Sequence, residues 1–139
     1  VLPNGLTLIT LENHRLPIVV AEAYVAGVRL REPARQSGVA ALLGTMLEEG
    51  TPTRTGEQIA TLIEDAGGAL ELSDAGGSLK VLTPDFDLGL DLLFDCLQHP
   101  TFPADALERK RDQLLSVIAD VETQPNNRAH ALFNRLVYG

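Results

Sequence analysis

The stretch GVAALLGTMLEEGT, residues 38–51, sets the frame for the fold of this chain. Its apolar residues recur at the spacing of one buried helix face, at Val39, Leu42, Leu43, Met46 and Leu47. Ser37 just before it is a suitable N-cap, and Gly50 is a typical helix stop. We therefore predict an amphipathic helix between Ser37 and Gly50.

Two extended segments precede this helix. Asn4-Gly5 is a turn signal, and the run Leu6–Leu11 after it predicts a first strand. Residues 18–25 are almost continuously apolar, which predicts a longer strand at the centre of a sheet. The charged residues 27–36 contain Pro33 and predict a loop between this strand and the helix.

A second helix and a hairpin follow. Thr55 and Gln58 match a capping box, and Gly67-Gly68 ends the helix that this box begins. The predicted inner stripe of this helix is Ile59, Leu62, Ile63 and Ala66. Residues 69–73 and 78–83 predict two antiparallel strands joined by a turn over 74–77.

Three helices complete the chain. The first is predicted over Asp85–Gln98, the second from Pro103 to about Asp120, and the third after Pro125. Their predicted inner residues are, in order, Phe86, Leu90, Leu93, Phe94 and Leu97; Leu107, Leu114, Ile118 and Val121; and Ala131, Leu132, Leu136 and Val137. Strands and helices come in pairs, which predicts an α+β fold, a two-layer sandwich of helices on a mostly antiparallel sheet.

Composition narrows the class of protein. The chain has 139 residues, the size of one domain, and we expect a single lobe over 1–139 cut from a longer chain, because it begins at Val1. Nineteen acidic residues against 11 basic ones give a net charge of -8, which argues against nucleic acid as a partner. No apolar run reaches the length of about 18 residues that a membrane span needs. We expect a soluble protein of the cytoplasm or periplasm.

Few residues suggest chemistry on their own. The single Cys96 lies in an apolar run, which predicts a small buried side chain. The three histidines, His14, His99 and His130, form no recognisable metal pattern. Ser37 and Ser116 lack a histidine partner for a triad, and Gly76-Gly77 is a turn without the helix and lysine of a phosphate loop. No cofactor is expected.

The run 38–51 resembles the signature of the pitrilysin/insulinase peptidases and mitochondrial processing peptidases, roughly G-x-A-H-x-x-E-H-M-x-F-x-G-T. It matches at Gly38, Ala40, Met46, Gly50 and Thr51. Further similarity follows in order along the chain, at residues 2–6, 26–32, 63–68, 90–93, 102–103 and 108–125. The resemblance implies a processing-peptidase-like metallohydrolase fold and a lobe of the N-terminal type.

The resemblance also implies where a zinc site would lie. In H-x-x-E-H the two histidines share a helix face and bind zinc, and the glutamate accepts a proton from the zinc-bound water. Here Ala41 and Thr45 occupy the histidine positions, and Gly44 occupies the glutamate position. These side chains offer neither a good zinc ligand nor a base. We therefore expect no metal site and no catalytic residue.

The downstream part of the motif is read in one of two registers. One equates Val117 with the third zinc ligand and Lys110 with an assisting acidic position, which requires a hairpin about four residues shorter than usual. The other falls near 120–122. The hairpin in this sequence is about four residues short, which favours the register with Val117. A single carboxylate in either register cannot hold zinc without the two imidazoles.

The resemblance implies a function by assembly, because family lobes pair around a chamber that holds a peptide. We expect a non-catalytic lobe or subunit that pairs with a zinc-bearing family partner or sister lobe and contacts peptides. The alternatives are a residually active zinc metalloendopeptidase and a purely structural scaffold subunit.

Overall fold

The computed structural model describes residues 1–138, apart from the side chains of Glu122 and Tyr138. Its principal elements are β1 (Ile18–Tyr24), α1 (Val39–Met46), α2 (Gly56–Asp65), β2 (Ala69–Ser73), β3 (Gly76–Leu82), α3 (Phe86–Gln98), α4 (Ala104–Thr123) and α5 (Pro125–Tyr138). Short 3₁₀ turns lie at 29–31, 34–36 and 83–85. The predicted α+β class is confirmed.

The three strands form one antiparallel sheet in the order β1-β3-β2. Val81 in β3 lies opposite Val19 in β1, and Leu79 lies opposite Leu70 in β2. The predicted hairpin is confirmed, but its turn is shorter than expected. Only Asp74 and Ala75 connect the strands, because Gly76 and Gly77 already belong to β3.

Two predictions about the first strands are wrong. β1 lies at a sheet edge among the described strands rather than at the centre, and its residues alternate between exposed and half-buried. Leu6–Leu11 forms no strand, and its apolar side chains lie in solvent, with Ile9 86% and Leu11 94% exposed. An apolar run after a turn forms a strand only where a neighbouring backbone completes its hydrogen bonds, and this segment pairs with none of the described strands.

The core lies between β3 and the helices α2 and α3. It consists of seven buried residues: Ile59, Ile63, Leu79, Val81, Leu92, Leu93 and Cys96. Cys96 is fully buried, as predicted, and burial raises the pKa of its thiol to about 11. The predicted face of α3 was partly wrong, because Leu92 and Cys96 point inward while Phe94 is 40% exposed.

The first turn of α1 corrects another prediction. Ser37 is not the N-cap; Gly38 takes that position with φ at 102°, a left-handed conformation that glycine adopts readily. The Ala40 amide instead donates to the Glu32 carboxylate at 3.2 Å. The predicted buried face is confirmed at Met46 and Leu47, but Ala40 and Gly44 are buried as well while Val39 is 52% exposed.

The start of α2 follows the prediction. The Gln58 amide donates to the Thr55 hydroxyl at 3.2 Å, and the Thr55 amide donates to the Gln58 side chain at 2.8 Å. This is a complete capping box, and Ile59 and Ile63 behind it are buried. A purely local signal is thus sufficient to begin this helix.

The last two helices extend beyond the core. α4 packs against α1 and against α5. Several predicted inner residues are exposed, namely Ile118, Val121, Ala131, Leu132, Leu136 and Val137. The apolar residues of α4 and α5 do recur at helical spacing, but no described residue packs over these faces. Within residues 1–138, no helix is both long and apolar enough to cross a membrane.

Candidate functional site

The positions that carry the resemblance lie on α1. Ala41 and Thr45 are four residues apart and so share one side of the helix, with Ala41 half-buried and Thr45 exposed. The Thr45 hydroxyl donates to the Leu42 carbonyl at 2.8 Å. This hydrogen bond lies within α1 and does not connect Thr45 to another element.

Gly44 lies against the tip of the β2–β3 hairpin. A β-carbon built on Gly44 would stand 2.7 Å from the Asp74 amide nitrogen and 3.1 Å from the Ser73 carbonyl carbon. Both atoms belong to the backbone, which cannot rotate away as the end of a long side chain can. Only glycine therefore fits here without a shift of the helix or the hairpin.

The hairpin tip is held from its other side by the segment after β1. The Val25 amide donates to the Ala75 carbonyl at 2.8 Å. Arg29 binds the Asp74 carboxylate through Nε and Nη2, at 2.5 and 3.1 Å. The hydrogen bond from Arg29 holds the pKa of Asp74 below its ordinary value, so this carboxylate is charged at neutral pH.

One helical turn beyond Gly44, Glu48 contacts the outer edge of β2. Its carboxylate accepts a hydrogen bond from the Leu72 amide at 3.2 Å. Since β3 occupies the other edge of β2, this amide faces outward, where an added strand would otherwise receive it. The segment just after α1 therefore closes this part of the strand edge.

In the favoured register, the two motif positions on α4 are Lys110 and Val117, and neither offers a carboxylate. Lys110 lies 3.0 Å from Glu49, and Arg109 donates to the same carboxylate at 2.7 Å. Partial burial raises the pKa of Glu49, but the hydrogen bonds from Lys110 and Arg109 outweigh it and leave that pKa below its ordinary value. These pairs join α4 to the end of α1.

Val117 is 56% exposed and has no ligating atom. In the other register, Asp120 is exposed, and the side chain of Glu122 lies outside the described residues.

The histidines are dispersed. His14 is 89% exposed and lies 3.7 Å from Glu12. His99 follows the end of α3 as predicted, and its Nδ1 also lies 3.3 Å from Asp95, a pairing across one helical turn that the sequence analysis missed. His130 is exposed on α5. Among the described residues, no three His, Cys, Asp or Glu side chains are grouped to hold a metal ion.

A zinc ion, which the family signature implies, does not fit the residues present. Ala41 and Val117 offer only hydrocarbon, and the Thr45 hydroxyl is a poor ligand that already donates to its own helix. Gly44 supplies no base and leaves no room for one. The nearby carboxylates of Glu48 and Glu49 are bound to Leu72, Arg109 and Lys110.

An open groove runs between α2 and β2. It has a volume of about 730 Å³. Apolar side chains of Ile59, Ile63 and Leu70 line it, together with the carboxylates of Glu57, Glu64 and Glu71. It lies beside the outer edge of β2, and the carboxylates of Glu48 and Glu49 line it as well.

Comparison with known proteins decides the family. A sequence profile described as "Insulinase (Peptidase family M16)" matches residues 20–138. The chain belongs to the M16 insulinase family. A solved structure with the same fold is an M16 inactive domain from Pseudomonas fluorescens, at a TM-score of 0.71 and 27% identity over 84% of this chain and 29% of that one.

Curated M16 relatives include a probable mitochondrial-processing peptidase subunit beta from Arabidopsis thaliana. It is 33% identical over 128 residues, which cover 88% of this chain and 24% of the relative. An uncharacterized zinc protease from Rickettsia felis is 28% identical over 99% of this chain and 34% of its own length. The chain thus spans a quarter to a third of these relatives.

Proposed function

We propose that this M16 lobe is non-catalytic and pairs with a zinc-bearing family lobe or subunit, so that the pair forms a chamber that binds and degrades peptides. The proposal concerns the role of the lobe within a larger assembly. Its own contribution is a wall of the chamber and a surface for the peptide, whereas the partner supplies the zinc and the base.

The observation that carries the proposal is the state of α1. The signature positions are Ala41, Gly44 and Thr45, which cannot ligate zinc or accept the proton of a water molecule. The hairpin backbone lies where a side chain at position 44 would begin. A lobe with this helix cannot do the chemistry of an H-x-x-E-H peptidase, although it keeps the fold.

The groove between α2 and β2 supports a role in holding peptide. Extended peptides bind proteins by adding to a strand edge, with alternate side chains entering neighbouring pockets. The groove offers apolar contacts from Ile63 and Leu70 and carboxylates from Glu57, Glu64 and Glu71. We propose that a peptide held by both lobes contacts this surface.

The relatives support pairing in a general way. The Arabidopsis thaliana relative is named as a subunit, and the Pseudomonas fluorescens structure is titled an inactive domain. An inactive M16 domain is thus a known form of this fold, and a subunit implies an assembly. Both features fit a lobe that acts only with a partner.

The test is co-purification of the full-length protein with its genetic neighbours, combined with metal analysis of the protein alone. We expect a stable complex with a protein that contains H-x-x-E-H, and far less than one zinc per chain in the isolated protein. About one zinc per chain, with cleavage of peptides by the protein alone, would establish a residual peptidase instead. Absence of any such complex would also contradict the proposal.

A further inference from the structure

The catalytic arrangement on α1 is prevented by the packing of the hairpin as well as by the side chains at the signature positions. We infer that the tip of the β2–β3 hairpin is a fixed plug on α1, which excludes a base at position 44 and closes the adjoining edge of β2 to an added strand. The catalytic arrangement therefore cannot be regained by restoring the three signature residues alone.

The first support is the contact at Gly44. A β-carbon at this position would meet backbone atoms of Ser73 and Asp74 at 3.2 Å or less. Such distances are shorter than carbon–carbon and carbon–nitrogen contacts in packed interiors. A glutamate here would force α1 and the hairpin apart before its carboxylate could reach any water.

The second support is that the tip cannot easily move away. Arg29 holds the carboxylate of Asp74 with two hydrogen bonds, and the Val25 amide holds the Ala75 carbonyl. The turn contains only Asp74 and Ala75 between the two strands, so it has little slack. A shift of the tip would break these contacts and distort the end of the β2–β3 ladder.

The third support is the bond between Glu48 and Leu72. A peptide strand added to this edge would need the Leu72 amide as a donor, and the Glu48 carboxylate already accepts from it. Gly44 lies on α1, and Glu48 lies four residues later, just past the end of α1 at Met46. Together they fix α1 along the tip-proximal half of β2. This step rests on the proposed function, since it limits bound peptide to the groove near Leu70.

The test uses the full-length protein with Gly44→Glu and, as a matched control, Thr45→Glu at the exposed neighbouring position. We expect Gly44→Glu to lower the midpoint of thermal unfolding by several degrees and Thr45→Glu to change it by about one degree or less. A Gly44→Glu protein as stable as the control would overturn the inference.

A rescue variant tests whether the tip is the obstacle. Inserting about four flexible residues between Asp74 and Ala75 should recover most of the stability that Gly44→Glu loses, because a longer loop can move off α1. An equal loss in the short and long hairpins would contradict the inference.

The strand-edge part has a separate measurement. Amide hydrogen exchange at Leu72 should be faster in Glu48→Ala and unchanged in Glu57→Ala, a groove residue that the Leu72 amide does not contact. Equal exchange in both variants would overturn closure of the edge. Neither experiment involves the partner, so pairing of the unaltered protein can fail or succeed independently.

Discussion

The Arg54 guanidinium lies 3.1 Å from the Asp95 carboxylate and joins the loop after α1 to the outer side of α3. It also donates to Asp91 at 2.7 Å, and the Thr53 hydroxyl donates to Asp95 at 2.9 Å. Arg54 and Asp95 are largely buried, with side chains 27% and 15% exposed. This cluster joins the loop that follows the signature segment to α3.

We predict that Arg54→Ala destabilises the chain by about 1 to 3 kcal/mol, because it removes two charge-assisted hydrogen bonds and leaves Asp95 without its cation. Urea unfolding monitored by circular dichroism would measure the change. Arg111→Ala is the matched control, since Arg111 pairs with Glu108 in solvent and its loss should cost at most about 0.5 kcal/mol. Equal effects of the two substitutions would contradict the assignment.

The pH dependence of stability follows from the same carboxylates. A hydrogen bond from Thr51, with others from Thr53 and His99 and the charge of Arg54, keeps the pKa of Asp95 below its ordinary value despite partial burial. The pKa of Glu49 is also lowered. Groups with a lowered folded pKa stabilise the fold above their unfolded pKa and lose that contribution as pH falls through the folded one.

We therefore expect the free energy of unfolding to fall as the pH is lowered below about 5. The variant Asp95→Asn should show a shallower decline than the unaltered chain, because an amide at this position does not take up a proton as the pH falls. Parallel declines in the two proteins would show that Asp95 does not contribute to acid sensitivity. Denaturant midpoints measured from pH 7 to pH 3 provide the comparison.

Cys96 should be inert in the folded protein. It is fully buried, and its thiol pKa is raised to about 11, so little thiolate forms at neutral pH. We predict slow labelling by a thiol-specific reagent at pH 8 and rapid labelling in denaturant. Labelling at the same rate in both conditions would contradict the burial of this side chain.

Gly44→Ala is a smaller version of the clash at the hairpin. Alanine normally stabilises a helix interior by about 1 kcal/mol relative to glycine. Here the added methyl meets the Asp74 backbone, and overpacking of this kind costs about 1 to 3 kcal/mol. We expect a net loss of stability in Gly44→Ala and none in Thr45→Ala on the exposed side. A stabilised Gly44→Ala chain would mean that the hairpin yields easily.

Local signals explain which parts of the fold were predictable. Thr55 and Gln58 are adjacent enough to complete a capping box by themselves. The turn residues between β2 and β3 likewise predict a hairpin, although not its exact turn length. Leu6–Leu11 is an apolar run that follows an equally clear turn signal at Asn4-Gly5. It forms no strand because a strand requires a partner, which the pattern cannot supply.

The candidate site also has parts that the sequence predicts and parts that it does not. The identities of Ala41, Gly44 and Thr45 are visible in the sequence, and the reading of them as lost catalytic positions stays a prediction based on resemblance. The contact of the hairpin tip with Gly44 could not be predicted from the sequence, because a helix and a strand separate Gly44 and Asp74 along the chain. The clamp from Arg29 to Asp74 and the bond from Glu48 to Leu72 likewise join distant segments. The spacing of residues along the sequence does not predict such contacts.

The most direct test of the central claim is a peptide-cleavage rate measured for three samples: the full-length protein alone, its zinc-bearing M16 partner alone, and the two mixed. We predict no cleavage by the first sample above a buffer control and faster cleavage by the mixture than by the partner alone. Zinc-dependent cleavage by the isolated protein, or a mixture no faster than its partner, would contradict a non-catalytic lobe that completes a peptide chamber.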